Sequence, residues 1–142
     1  MKGKFNKQEL LALHRHWMWA SIIKQHFACE VQKAAARNIS DPDRLMPGSY
    51  GAYMSIWYGM LFGVLEVFKN KKITLPTIQS DIESVYESLR LYRNAVFHPQ
   101  EEYYSHKLLA IMKDRESVSK IWKIHSELGG WFLENVKGFK ET

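Results

Sequence analysis

The sequence contains one cysteine, Cys29, so no internal disulfide can form and packing alone must hold the fold. A single thiol fits a reducing cytosol rather than an oxidising compartment. Cys29 falls in a helical stretch among Ala28, Val31 and Ala34, which predicts a small core residue. Glycine-rich phosphate loops, paired Cys/His zinc spacing and the strained nucleophile turn of serine hydrolases are all missing. This excludes the best-marked nucleotide, zinc and acyl-transfer sites. His14, His16 and His26 follow no metal-ligand spacing, and His14 and His16 diverge on a helix, so neither a metal nor another cofactor is expected. No segment keeps strand alternation between hairpin turns. No repeat, low-complexity tract or linker divides the 142 residues, so residues 1–142 read as one domain.

Apolar material is plentiful: 46% of residues are hydrophobic and 13% aromatic, enough for one core and too much for disorder. The net charge of +5 suits a polyanionic partner such as RNA without requiring one. After Met1-Lys2-Gly3-Lys4 comes Phe5-Asn6-Lys7-Gln8-Glu9, with no apolar run of the kind a signal peptide needs, and the expected location is the cytoplasm. Tyr50 to Phe68 carries one charge, Glu66. A membrane-spanning helix needs about 20 mostly apolar residues. This run is slightly short and is interrupted by Gly51, Gly59, Gly63 and several tyrosines, so it is read as a buried central helix, with no membrane association expected.

Helical periodicity marks four long segments. The first starts at Asn6, with Glu9 three residues on as a capping box. Its stripe is Leu10, Leu13, Trp17, Ala20, Phe27, Val31 and Ala35, broken by Lys24, and it ends before Asn38. A loop through Asp41-Pro42-Asp43 and Pro47-Gly48 follows. Ser49 is expected to cap the second helix, which stops near Lys69-Asn70-Lys71-Lys72. The third opens at Leu75-Pro76-Thr77 with Thr77 as cap. It carries the cleanest stripe (Ile78, Ile82, Val85, Leu89, Tyr92, Val96) and stops at Pro99. The fourth runs from Ser105 to about Lys137 with a break near Asp114–Ser117. Its stripe is Val118, Ile121, Trp122, His125, Leu128, Phe132 and Val136, which makes His125 a hydrogen-bonded core residue. Four amphipathic segments joined by short loops predict an all-α, four-helix, up-and-down antiparallel bundle.

The most informative stretch is Arg93-Asn94-Ala95-Val96-Phe97-His98. Arginine presents a planar, permanently charged fork that matches a phosphate bidentately, and histidine moves protons near neutral pH. Together they suffice to cleave RNA without a metal: His98 as acid or base, Arg93 against the charge building on phosphorus. Spacing alone leaves another reading open, in which Arg93 is a surface or paired residue and His98 caps a helix end before Pro99. Asn94 either positions the phosphate or satisfies nearby backbone. Glu66 needs a partner if buried, and Arg93 or Arg90 can supply it, in an ion pair or in orienting Arg93. Tyr104 and His106 follow the motif closely enough to line the same groove. Five helical residues leave Arg93 and His98 about 140° apart. Either the helix deforms near Pro99, or two copies of the motif meet across a two-fold axis.

In its wider context, Leu89-Arg90-Leu91-Tyr92-Arg93-Asn94-Ala95-Val96-Phe97-His98-Pro99 resembles the signature of the HEPN superfamily (higher eukaryotes and prokaryotes nucleotide-binding domains). That signature is an Arg, often followed by a polar residue, with a His four to six residues further on. Ile56 to Glu66 is similar to the second helix of small bacterial HEPN proteins. The resemblance implies a four-helix bundle, usually dimeric, acting as a metal-independent endoribonuclease, often a toxin or defence protein. Other members are non-catalytic modules that bind nucleotide, RNA or a protein partner. Toxins paired with a nucleotidyltransferase antitoxin commonly carry Tyr two places after the His, where this chain has Gln100. Tyr103 and Tyr104 do not match that place.

Overall fold

The computed structural model describes residues 4–99, 101 and 106–140. It contains six helices: α1 (Lys7–Ala36), α2 (Pro42–Leu45), α3 (Ser49–Asn70), α4 (Gln79–Phe97), α5 (His106–Lys113) and α6 (Arg115–Lys140), with no strand among the described residues. Four are long, and α2 and α5 are short.

Local chemistry explains most of the boundaries. At the start of α1 the Asn6 side chain accepts from the Glu9 backbone N–H at 2.8 Å, and the Glu9 carboxylate accepts from the Asn6 N–H at 3.1 Å. This reciprocal pair is the expected capping box. Helices α1 and α3 both end in a Schellman arrangement, with Ile39 N–H donating to Ala34 and Ile73 N–H to Phe68. The turn residues, Asn38 and Lys72, take positive φ of 53° and 57°. Asn tolerates that conformation; Lys adopts it at a cost. Pro99 stops α4, leaving His98 extended at φ −117°. Between α5 and α6 the break falls at Asp114, whose carboxylate receives the Ser117 N–H at 3.2 Å and hydroxyl at 2.8 Å. It thereby caps α6.

Three boundaries differ from expectation. The first loop contains a helical turn, α2, nucleated by Asp41 capping Asp43 and by Pro42 at its first position, a favourable place for proline. Helix α3 is preceded by Gly48 and takes Ser49 as its first residue, with no side-chain cap. Helix α4 starts at Gln79, two residues beyond Thr77. There the Gln79 side chain accepts from Leu75 N–H at 3.0 Å, tying the loop to the first turn, and no side chain caps the helix itself.

The core is continuous from Leu10 and Phe27 of α1 through Trp57, Leu61 and Phe62 of α3, Val85, Leu89 and Tyr92 of α4, to Ile121, Ile124, Leu128 and Phe132 of α6. Helices α1 and α3 run antiparallel, since His26 stacks on Tyr53 at one end and His16 lies by Gly63 at the other. Helix α3 is long and apolar enough to cross a membrane, and 56% of its most apolar window is buried inside the protein. Cys29 is exposed, not core: it lies two residues, about 200°, round the helix from buried Phe27. Ala34 rather than Ala35 is buried on α1, and Ala95 rather than Val96 at the end of α4, because a 3.6-residue turn drifts against a strict three–four alternation.

Candidate functional site

Arg93 leaves α4 toward α3. Helical side chains lean toward their own N-terminus, and since α4 runs antiparallel to α3 this carries Arg93 along α3 toward its C-terminal half. Its stem passes Gly59, with Cγ 3.9 Å from where a Cβ of that glycine would stand. Its guanidinium lies over the Phe62 ring at 4.5 Å from the centroid. Nη1 stands 3.8 Å from Glu66 Oε1 and Nη2 donates to Asn94 Oδ1 at 3.2 Å. The fork is therefore oriented by an aromatic face, an amide and a loosely placed carboxylate, and the Arg93 side chain remains 30% exposed.

This geometry answers several questions left open by the sequence. Glu66 faces Arg93, while Arg90 makes a two-pronged pair with its helix neighbour Glu87 at 2.9 and 2.5 Å and stays out of the cluster. That pair holds the Glu87 carboxyl below its usual range, chiefly through the hydrogen bond from Arg90. The Asn94 oxygen accepts from the Arg93 guanidinium. His98 is exposed, beyond the last residue of α4, while the Arg93 guanidinium is carried the other way. His106 opens α5 in a depression shared with Ser88 and Leu91, on the flank of α4 away from Arg93. Tyr104 lies outside the described residues, as do Gln100 and Tyr103.

Sequence reasoning missed the other side of this face. Gly59 and Gly63 lie four apart on α3. The His16 Nε2 sits 3.4 Å from a Cβ placed on Gly63, and the Phe97 ring 3.2 Å from one placed on Gly59. Phe97 is 66% exposed and Ile56, one turn before Gly59, is 42% exposed. The glycine pair was the only signal in the sequence; which helix would use it was not written there.

His125 is the buried histidine its stripe position indicated, 2% exposed. Its Nδ1 accepts from the Trp57 indole at 3.0 Å. An indole N–H only donates, so the proton of the neutral ring is on Nε2, which donates to Ser21 Oγ at 2.9 Å. The Ser21 hydroxyl in turn donates to the Trp17 carbonyl at 3.1 Å, and Trp17 Nε1 donates to the His125 carbonyl at 3.2 Å. Burial first, and the nearby Lys24 charge second, lower its pKa to about 4. With both nitrogens engaged, this is a structural histidine.

A cavity of about 450 Å³ lies between the end of α3 and the start of α4, over Phe68, Leu75 and Ile82, and is lined also by Lys69, Lys72, Glu83, Tyr86 and Glu87. No protein-family model, characterised protein or solved structure matches this chain.

Proposed function

We propose that this chain is a metal-independent endoribonuclease of HEPN type. In this reading α1, α3, α4 and α6 are the four helices of an up-and-down antiparallel bundle, with α2 and α5 as short additions in its loops. The observation that carries the reading is the state of Arg93: held over Phe62 by Asn94 and a carboxylate at 3.8 Å, yet 30% exposed. A guanidinium so oriented keeps donors for a phosphate. The face is open rather than enclosed, which suits a polymer, and the net charge of +5 favours a polyanion.

The chemistry is internal transesterification. The 2′ oxygen attacks phosphorus while its proton passes to a base, Arg93 takes up charge on the non-bridging oxygens, and an acid protonates the departing 5′ oxygen. His98 serves as acid or base. Five residues along a helix set Arg93 and His98 about 140° apart, so in this reading the working unit is a two-fold dimer whose groove collects both motifs. The exposed Ile22, Ile56 and Phe97, at 54%, 42% and 66%, supply apolar surface for that contact. A toxin or defence role against RNA in the cytoplasm, restrained by an antitoxin or other protein partner, follows from the same reading.

The same divergence favours a second reading, a non-catalytic module in which Arg93 binds nucleotide, RNA or a protein partner and His98 takes no part. Single-stranded RNA incubated in EDTA separates the two. Wild type should cleave to 2′,3′-cyclic phosphate ends, His98→Ala should lose about 10²–10⁴ in rate, and Arg93→Lys should be severely impaired because it keeps charge without the fork. Light scattering should give the dimer mass. Absence of cleavage with a dimer of intact fold selects the module; cleavage abolished by the chelator excludes the mechanism.

A further inference from the structure

On the ribonuclease reading, cleavage at Arg93 needs two proton-transfer groups, one to take the 2′-hydroxyl proton and one to protonate the leaving oxygen, and the motif supplies one imidazole, His98. We propose that His16 is the other: it belongs to the same phosphodiester site as Arg93, from the opposite flank of the glycine face. Gly59 and Gly63 are one turn apart, about 6 Å along α3. The Arg93 stem passes over the first and His16 Nε2 sits over the second. The guanidinium then continues to Phe62 and Glu66, bracketing Gly63 from the α4 side. Lacking a side chain, Gly63 lets the imidazole lie against α3.

The surroundings of His16 suit a nucleic acid. Its ring is partly exposed, and the described residues form no hydrogen bond to it. One helical turn on, Trp19 is 49% exposed and carries the Arg15 guanidinium 5.2 Å from its ring centroid. An exposed indole bearing a cation offers stacking to a base and charge to a phosphate. On the other flank the Arg93 guanidinium lies over Phe62, and the exposed Phe97 ring lies by Gly59.

In the reaction, one imidazole of the pair His16 and His98 accepts the 2′-hydroxyl proton as the O2′–P bond forms. The other gives a proton to the 5′ oxygen as the P–O5′ bond breaks. The products are a 2′,3′-cyclic phosphate and a 5′-hydroxyl, and the two imidazoles have exchanged one proton, which solvent restores.

The test compares wild type, His16→Ala, His16→Gln and His98→Ala on single-stranded RNA in EDTA across pH. In parallel, the imidazole Hε1 resonances are followed as a 2′-O-methyl oligonucleotide, which lacks the attacking hydroxyl, is added. Loss of a proton-transfer group lowers the rate by about 10²–10⁴ and removes one limb of the pH–rate profile. Both effects are expected of the His16 variants, with thermal unfolding unchanged. The His16 resonance should move on adding the oligonucleotide to wild type and stay put in Arg93→Ala. Wild-type rates and profile in both His16 variants, with a cleaving wild type, overturn the proposal and leave the ribonuclease reading standing. If wild type cleaves nothing, the ribonuclease reading falls, and the resonance decides whether His16 shares a site with Arg93: unmoved, it does not.

Discussion

Acidifying the protein from pH 6.5 to pH 5 should remove about 2 kcal/mol of stability through His125 alone. In the folded chain this imidazole accepts a hydrogen bond from the Trp57 indole on Nδ1. A proton placed there would set two donors against each other in a site 2% exposed. The folded ring therefore resists protonation until about pH 4, while the unfolded ring takes a proton near 6.5. Because the folded pKa is depressed, the contribution is present above about 6.5, falls away as pH drops toward 4, and is gone below that. At 1.36 kcal/mol per pH unit the whole gap amounts to about 3 kcal/mol. Carboxylates held low by their partners, such as Glu9 under Lys71 and Asp114 under Ser117, lose their contributions at lower pH, below the window used. Urea unfolding followed by tryptophan fluorescence at pH 7.5, 6.5, 5.5 and 5.0 measures the effect, with Trp57 buried beside the histidine as a reporter. His125→Gln is the control: it costs stability at every pH because Trp57 loses its acceptor, but it cannot titrate. The reasoning is refuted if wild type loses no more stability than His125→Gln between pH 6.5 and 5.

Three further outcomes follow from packing and are read by the same unfolding measurement. Gly51→Ala should destabilise by about 2–4 kcal/mol despite alanine's better helix propensity, because its Cβ would stand 1.9 Å from the Met46 carbonyl oxygen; a neutral result would show that α2 yields. Tyr58→Phe should be neutral or stabilising by about 1 kcal/mol, since the Tyr58 hydroxyl is buried with no hydrogen-bond partner among the described residues; a loss of more than that would reveal a partner. Lys72→Gly should gain about 1 kcal/mol, the cost of holding a lysine at φ 57°, and unchanged stability would show that the lysine side chain compensates.

Features that depend on a few neighbouring residues were legible in the sequence. The Asn6–Glu9 cap, the stop at Pro99 and the break at Asp114 each rest on groups within four residues of one another. The burial of His125 was legible too, since a stripe position declares itself through periodicity. What escaped were contacts between segments distant in sequence. Thr77 did not become the cap of α4, which opens without one; Gln79 instead reaches back to the Leu75 N–H of the preceding loop, a contact propensity does not register. Cys29 read as core from its small apolar neighbours, although the angle from Phe27 turns it outward. At the candidate site, the residues of the motif could be named, but not the direction in which Arg93 would lean once α4 lay antiparallel to α3. Nor could His16 be paired with Gly63, forty-seven residues away, until α1 and α3 were aligned.

The placement of α3 also constrains how the chain emerges during synthesis. Helix α1 is made first and can pair with α3 as a hairpin as soon as the latter is complete. The rest of α3's apolar surface, including Leu61, Phe62 and Leu65, each no more than 1% exposed in the finished protein, has to wait for α4 and α6. Nor is Trp57 given its polar partner until His125 arrives, 68 residues later. Through that interval the nascent chain presents a long greasy helix to its surroundings, and it is α6 that closes the core.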